Sequence, residues 1–122
     1  MVVLTGRVVT GVGNFAYWVE RLQEHYRRKT GVSLFPGTLN VQLDEEYSVP
    51  SGALRLEAEE YGGAVSVNIV PCRILGERAF ILRTDAAERD SKNVIEVACE
   101  VKLRDKYNLR DGDTVRVEVS AD

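Results

Sequence analysis

Residues 36 to 43, Pro36-Gly37-Thr38-Leu39-Asn40-Val41-Gln42-Leu43, set the fold class. Leu39, Val41 and Leu43 point to one side of an extended chain and Thr38, Asn40 and Gln42 to the other, which is the period of a half-buried strand. The same alternation surrounds it. Val2 to Val9 opens the chain in this way, and Leu54, Leu56 and Ala58 alternate with Arg55, Glu57 and Glu59. Tyr61-Gly62-Gly63 then turns the chain into Val65, Val67 and Ile69, which reads as a hairpin. A tight turn at Gly76-Glu77 separates Cys72–Leu75 from Arg78–Arg83. After a polar loop from Thr84 to Asn93 come Val94 to Val101, a short helical turn near Lys102 to Leu109, and a turn at Arg110-Asp111-Gly112-Asp113 into Thr114 to Val119. Only one segment has helical spacing. Between Asn14 and Thr30, Phe15, Trp18, Val19, Leu22 and Tyr26 recur every three or four residues, with Asn14 placed to cap the start and Gly31 to end it. Six or more short strands and one long helix, without strand–helix alternation, predict a mainly β protein. Its expected form is a small closed or nearly closed barrel plugged or flanked by the helix.

Composition agrees with one domain spanning 1 to 122. The 122 residues are 44% hydrophobic and 29% charged, and no Pro-, Gly- or Ser-rich linker divides them. At this size about two-thirds of the unfolded surface is buried on folding, enough to dispense with staples. A net charge of −3 weighs against nucleic acid as a partner, and the apolar run at Met1 to Leu4 is too short for a leader or a membrane span. A cytoplasmic location without membrane association is expected. Cys72 and Cys99 have no metal-ligand spacing and are expected to be reduced, buried thiols. With His25 the only histidine, a histidine-rich metal site or a triad that needs a second histidine is excluded, and His25 is expected to pack at the helix surface.

Two stretches carry chemistry. Thr10-Gly11-Val12-Gly13-Asn14 is a glycine-bearing strand-to-helix turn whose backbone N–H groups can approach an anion closely. Strand alternation puts the Thr38 hydroxyl and the Asn40 amide on one face about 7 Å apart. Both are hard, neutral oxygen donors that suit magnesium when phosphates supply the negative charge.

With Val94-Ile95-Glu96-Val97, Lys102-Leu103-Arg104-Asp105 and Asp111-Gly112-Asp113, these stretches resemble, in order and over nearly the whole chain, the archaeal CTP-dependent riboflavin kinases. The resemblance implies a six-stranded cradle-loop barrel that transfers the γ-phosphoryl group of CTP to the 5′-hydroxyl of riboflavin, giving CDP and FMN. It implies Mg²⁺ on Thr38 and Asn40, and nucleotide contacts from Gly11, Val12, Gly13, Asn14, Phe15 and Ala16 and from Lys102, Leu103, Arg104 and Asp105. Flavin contacts would come from Glu96 and from position 88, a threonine in the family and Glu88 here. The family's third glycine and following basic residue are replaced by Phe15 and Ala16. That replacement gives weight to an alternative, a non-catalytic nucleotide- or flavin-binding barrel; an interaction domain built on the same kind of barrel is a third reading. No catalytic residue is assigned, Glu96 and Asp105 being the acidic candidates for a general base.

Overall fold

A computed structural model describes residues 1–11, 15–86 and 93–120. The described elements are β1 (Val2–Val9), α1 (Phe15–Arg21), α2 (Gln23–Thr30), β2 (Leu39–Leu43), β3 (Leu54–Leu56), a 3₁₀ turn (Ala58–Tyr61), β4 (Val67–Ile74), β5 (Glu77–Thr84), β6 (Val94–Cys99), α3 (Leu103–Lys106) and β7 (Thr114–Val119). All strand pairs are antiparallel, in the order β3-β4-β5-β6-β2-β1-β7. Closure comes from β7 returning to β4, with Cys72 opposite Val119 and Ile74 opposite Val117. Six strands therefore form a closed barrel, and β3 is an appendage on β4.

β4 is a single strand that shares one edge between two partners: β3 along Val67–Ile69 and β7 along Cys72–Ile74. Pro71 falls at the changeover. A residue without an N–H is tolerated in a strand where ladder pairing is interrupted. The β4–β5 hairpin turns on Leu75 and Gly76, with φ of 52° and 79°. Positive φ at both central positions gives the tight turn whose twist matches the strands, and glycine supplies the second at no steric cost.

Two apolar layers result. Val8, Val41, Ile74, Ile81, Ile95 and Val117 are among the residues filling the barrel, with the α3 residue Leu103 packed against them. A second layer, outside the barrel wall, joins Val19, Leu22 and Tyr26 of the helices to Leu56, Val67, Ile69, Phe80, Leu82 and Ala98. β5 serves both layers, which is why Ala79 to Leu82 are all buried. The helices flank the barrel and do not plug it.

The expected long helix is a pair of short ones. Leu22, at φ −107° and ψ 28°, leaves helical geometry between α1 and α2. Hydrogen bonds from Leu22 N–H to Trp18 O (2.9 Å) and from Tyr26 N–H to Leu22 O (3.0 Å) carry the chain across the break. The Gln23 side chain is tied to Leu34 O at 2.6 Å, anchoring the start of α2 to the segment that follows it. Leu22 stays buried, so the break redirects the axis without leaving the apolar stripe. The C-terminus behaves as expected: Gly31, at φ 80°, donates to Arg27 O. The Leu54–Glu59 strand is also shorter than its alternation suggests. It stops at Leu56, and Glu57 and Glu60 form a capping box over the 3₁₀ turn. Cys72 and Cys99 are buried free thiols, and burial pushes the Cys72 thiol up to about 12. No helix among the described residues is long and apolar enough to cross a membrane.

Candidate functional site

The register of β2 on β6 sets Asn40 directly opposite Glu96. Thr38, two residues back on the same face, donates its hydroxyl to Glu96 Oε1 at 2.7 Å. On the other side lies the β1–β2 pairing, with Val9 opposite Asn40, so the chain leaving β1 passes over that amide. Gly11 makes the approach possible. A Cβ there would lie 2.2 Å from Asn40 Nδ2, so any side chain would expel the amide. Thr10, Gly11, Phe15, Ala16, Gly37, Thr38, Asn40, Glu96 and Arg104 together line a cavity of about 270 Å³. A second of about 190 Å³ shares Gly37, Thr38 and Arg104 and extends to Leu39, Lys102 and Leu103.

Burial pushes the Glu96 carboxyl above its ordinary range, and the hydrogen bond from Thr38 opposes that shift. Asp111 organises the rim. It accepts from Thr10 Oγ1 at 2.5 Å and from Arg104 at 2.6 Å, and these two bonds hold its carboxyl below the usual range. Arg104 also reaches Val9 O at 3.2 Å. Gly112, at φ 95°, lets the turn place Asp111 there while its own N–H bonds Val8 O. The Asp-Gly-Asp turn thereby fixes a cation and a hydroxyl beside the Gly11 segment.

Most of the expected site residues converge here. Gly11, Phe15, Ala16, Thr38, Asn40, Glu96 and Arg104 line the first cavity, and Lys102 and Leu103 line the second. The Leu103 side chain itself belongs to the core beside the barrel. Asp105 lines neither cavity and faces Lys102 at 3.7 Å near the surface. Val12, Gly13, Asn14 and Glu88 lie outside the described residues. His25, half-buried, sits against Glu60 O at 3.2 Å, on the helix surface as expected.

One part of the site is absent from the sequence reading. An apolar cavity of about 320 Å³ opens beside the first and shares Phe15 with it; Trp18, Leu22, Tyr26, Tyr61, Val65 and Val67 also line it. Trp18 and Tyr61 meet edge to face, with ring centroids 6.4 Å apart. The stripe from Phe15 to Tyr26 therefore has two destinations: Val19 is wholly buried in the packed layer, whereas Trp18 keeps 37% exposure along the cavity. The available signal was the concentration of aromatic residues between Phe15 and Tyr26.

A polar cleft carrying hard oxygen donors and a fixed arginine, which shares the wall residue Phe15 with an aromatic cavity, suits a ligand with an anionic end and a flat apolar end. The family model CTP-dep_RFKase, described as "Domain of unknown function DUF120", matches residues 8–119. The chain belongs to this family. A protein named riboflavin kinase from Methanocella arvoryzae is 36% identical, the match covering 94% of this chain and 56% of that one. One of the same name from Pyrobaculum aerophilum is 35% identical over 95% of this chain and 60% of its own length. The riboflavin kinase of Methanobrevibacter smithii, 32% identical, is matched over 94% of this chain and 98% of itself. The chain thus spans little more than half of the first two relatives and nearly all of the third.

Proposed function

We propose that this barrel is a riboflavin kinase that transfers the γ-phosphoryl group of CTP to the 5′-hydroxyl of riboflavin. The observation that carries this reading is the convergence of Gly11, Thr38, Asn40, Glu96 and Arg104 on one cleft that shares Phe15 with an aromatic cavity. The isoalloxazine rings occupy the aromatic cavity, and the ribityl chain leads from it past Phe15 to the cleft. The triphosphate lies between the Gly11 segment and the residues Lys102 to Arg104.

The donor set fits a magnesium ion delivered with nucleotide. Thr38 gives its proton to Glu96, leaving its oxygen lone pairs for a cation, and Gly11 leaves room for the Asn40 amide. Two neutral oxygen donors bring no charge, so phosphate oxygens would supply the anions and, with water, complete the coordination. Thr38 and Asn40 would hold the ion, which would supply neutralisation of phosphate charge beside the γ-phosphoryl group.

The remaining work falls to the chain. Arg104, fixed by Asp111, supplies a charge-assisted contact to phosphate oxygens. Glu96 takes the proton of the 5′-hydroxyl as its oxygen bonds to the γ-phosphorus and the bond to the bridging β-phosphate oxygen breaks, releasing CDP. Its buried position and raised pKa favour it as the base over Asp105, which is turned to solvent beside Lys102. Phosphoryl transfer needs positioning and charge stabilisation more than a nucleophilic side chain, so a site without histidine is sufficient.

Purified protein incubated with riboflavin, magnesium and each of CTP, ATP, GTP and UTP should form FMN, fastest with CTP. Phe15 and Ala16 at the phosphate turn favour the second reading, a barrel that binds these ligands without turnover. Binding of both ligands with no FMN formed by any nucleotide would establish that reading instead.

A further inference from the structure

One residue of the aromatic cavity wall carries a buried hydroxyl that is left over. Tyr26 of α2 is wholly buried and lines the cavity, yet its phenol oxygen has no hydrogen-bond partner among the described residues. A polar group stranded in this way destabilises the unliganded protein, and phenylalanine would pack the same space without that cost. Its neighbour on the cavity wall is not stranded, since the Tyr61 hydroxyl donates to Val65 O. Burial, followed by the nearby Tyr61 and Glu96, pushes the Tyr26 phenol up, so it remains protonated and available as a donor at neutral pH.

We propose that the Tyr26 hydroxyl is a specificity contact for the flavin, donating a hydrogen bond to an acceptor on the pyrimidine edge of the isoalloxazine ring system. This rests on the aromatic cavity being the ring site. Within that site the contact orients the rings: an acceptor reaching Tyr26 fixes which edge enters the cavity, and hence where the ribityl chain leaves toward Phe15 and Glu96. A ring system of the same size without an acceptor would strand both the hydroxyl and the orientation.

The test is Tyr26→Phe, titrated with riboflavin by flavin fluorescence and with CTP and magnesium by calorimetry. The variant should melt at the same temperature as the parent or higher. It should bind riboflavin at least tenfold more weakly, leave nucleotide affinity unchanged, and shift the visible absorption band of the bound flavin. Riboflavin affinity and spectrum equal to the parent's would overturn the contact, as would loss of the fold, which would mean that the hydroxyl has a structural partner. Val65→Trp, which fills the cavity, separates the two levels. If it abolishes riboflavin binding while Tyr26→Phe changes nothing, only the Tyr26 contact fails; if neither substitution matters, the ring-site reading fails with it.

Discussion

Two polar clusters decorate this barrel, and they differ in how far each satisfies itself. Arg55 makes five hydrogen bonds, two to Glu57, two to Asp85 and one to Asn68. Ser66 and Asn68 add bonds to the same carboxylates. Although the cavity of about 560 Å³ beside it is the more roomy, this network has spent its donors on itself. Among Thr38, Asn40 and Glu96 the one side-chain hydrogen bond runs from Thr38 to Glu96, and the Asn40 amide has no partner among the described residues. A saturated cluster ties β3, β4 and the end of β5 together; an unsaturated one flanked by glycines has capacity left for a ligand. Hydrogen-bond saturation separates the two more clearly than size does.

The sharpest way to break the contrast is Asn40→Ala. The substitution removes an amide that has no partner among the described residues, on the face opposite the barrel interior, so the fold should persist. Metal-dependent nucleotide affinity should drop about a hundredfold or more, since losing even an outer-shell partner of a bound metal costs about 10- to 100-fold and Asn40 would be a direct ligand. Calorimetry with and without magnesium measures it, and unchanged affinity would remove the metal assignment. Glu96→Gln comes next. It keeps the shape and loses the charge, so riboflavin binding should weaken by about tenfold or more while nucleotide binding changes less. Equal quenching of riboflavin fluorescence by variant and parent would take Glu96 out of the flavin site.

The strands were legible because their alternation survives in the fold. Leu39, Val41 and Leu43 line the barrel as their spacing demands, and Thr38 and Asn40 stand together outside it. Helical periodicity was less informative. It reports a buried stripe but not whether the axis bends beneath it, so the break at Leu22, which keeps Leu22 buried, leaves no mark in the pattern. Nor does it distinguish packing against a sheet from lining a cavity, and Trp18 and Val19, adjacent in sequence, take these different fates. The pairing of Glu96 with Asn40 depends on register between strands more than fifty residues apart, which no local pattern encodes. The resemblance implies Glu96 at the flavin and Asn40 at the metal; their direct opposition would make those two proposed subsites neighbours.

A gain of function sharpens the same contrast. Ala16 is exposed on the first turn of α1 at the lip of the cleft, where a cation would face the triphosphate. Ala16→Arg should therefore tighten CTP binding. A charge-assisted contact contributes about 1.5 to 3 kcal/mol when well aligned, and exposure to solvent keeps this one near the lower figure, roughly tenfold in affinity. Titration at fixed magnesium decides it. No gain in affinity would mean that the phosphates do not pass this turn.

The smallest effect on ligand binding should come from the saturated cluster. Arg55→Met removes all five bonds and leaves Glu57 and Asp85 facing each other unscreened, yet CTP and riboflavin affinities should match the parent's because the cluster lines neither the cleft nor the aromatic cavity. Its signature is pH-dependent stability. In the parent, hydrogen bonds from Arg55 hold both carboxyls below their ordinary values of 3.8 for Asp85 and 4.5 for Glu57. A depressed carboxyl contributes its full stabilisation above the ordinary value and loses it as pH falls through the folded-state value. The parent should therefore lose melting temperature on acidification below about pH 4.5, and Arg55→Met should lose less over that interval. The difference should be small and shrink further in salt, since Arg55 and its partners are well exposed to solvent. Parallel melting curves for the two proteins from pH 7 to about pH 3 would show that the network adds nothing to stability, and a loss of CTP binding in Arg55→Met would erase the distinction between the clusters.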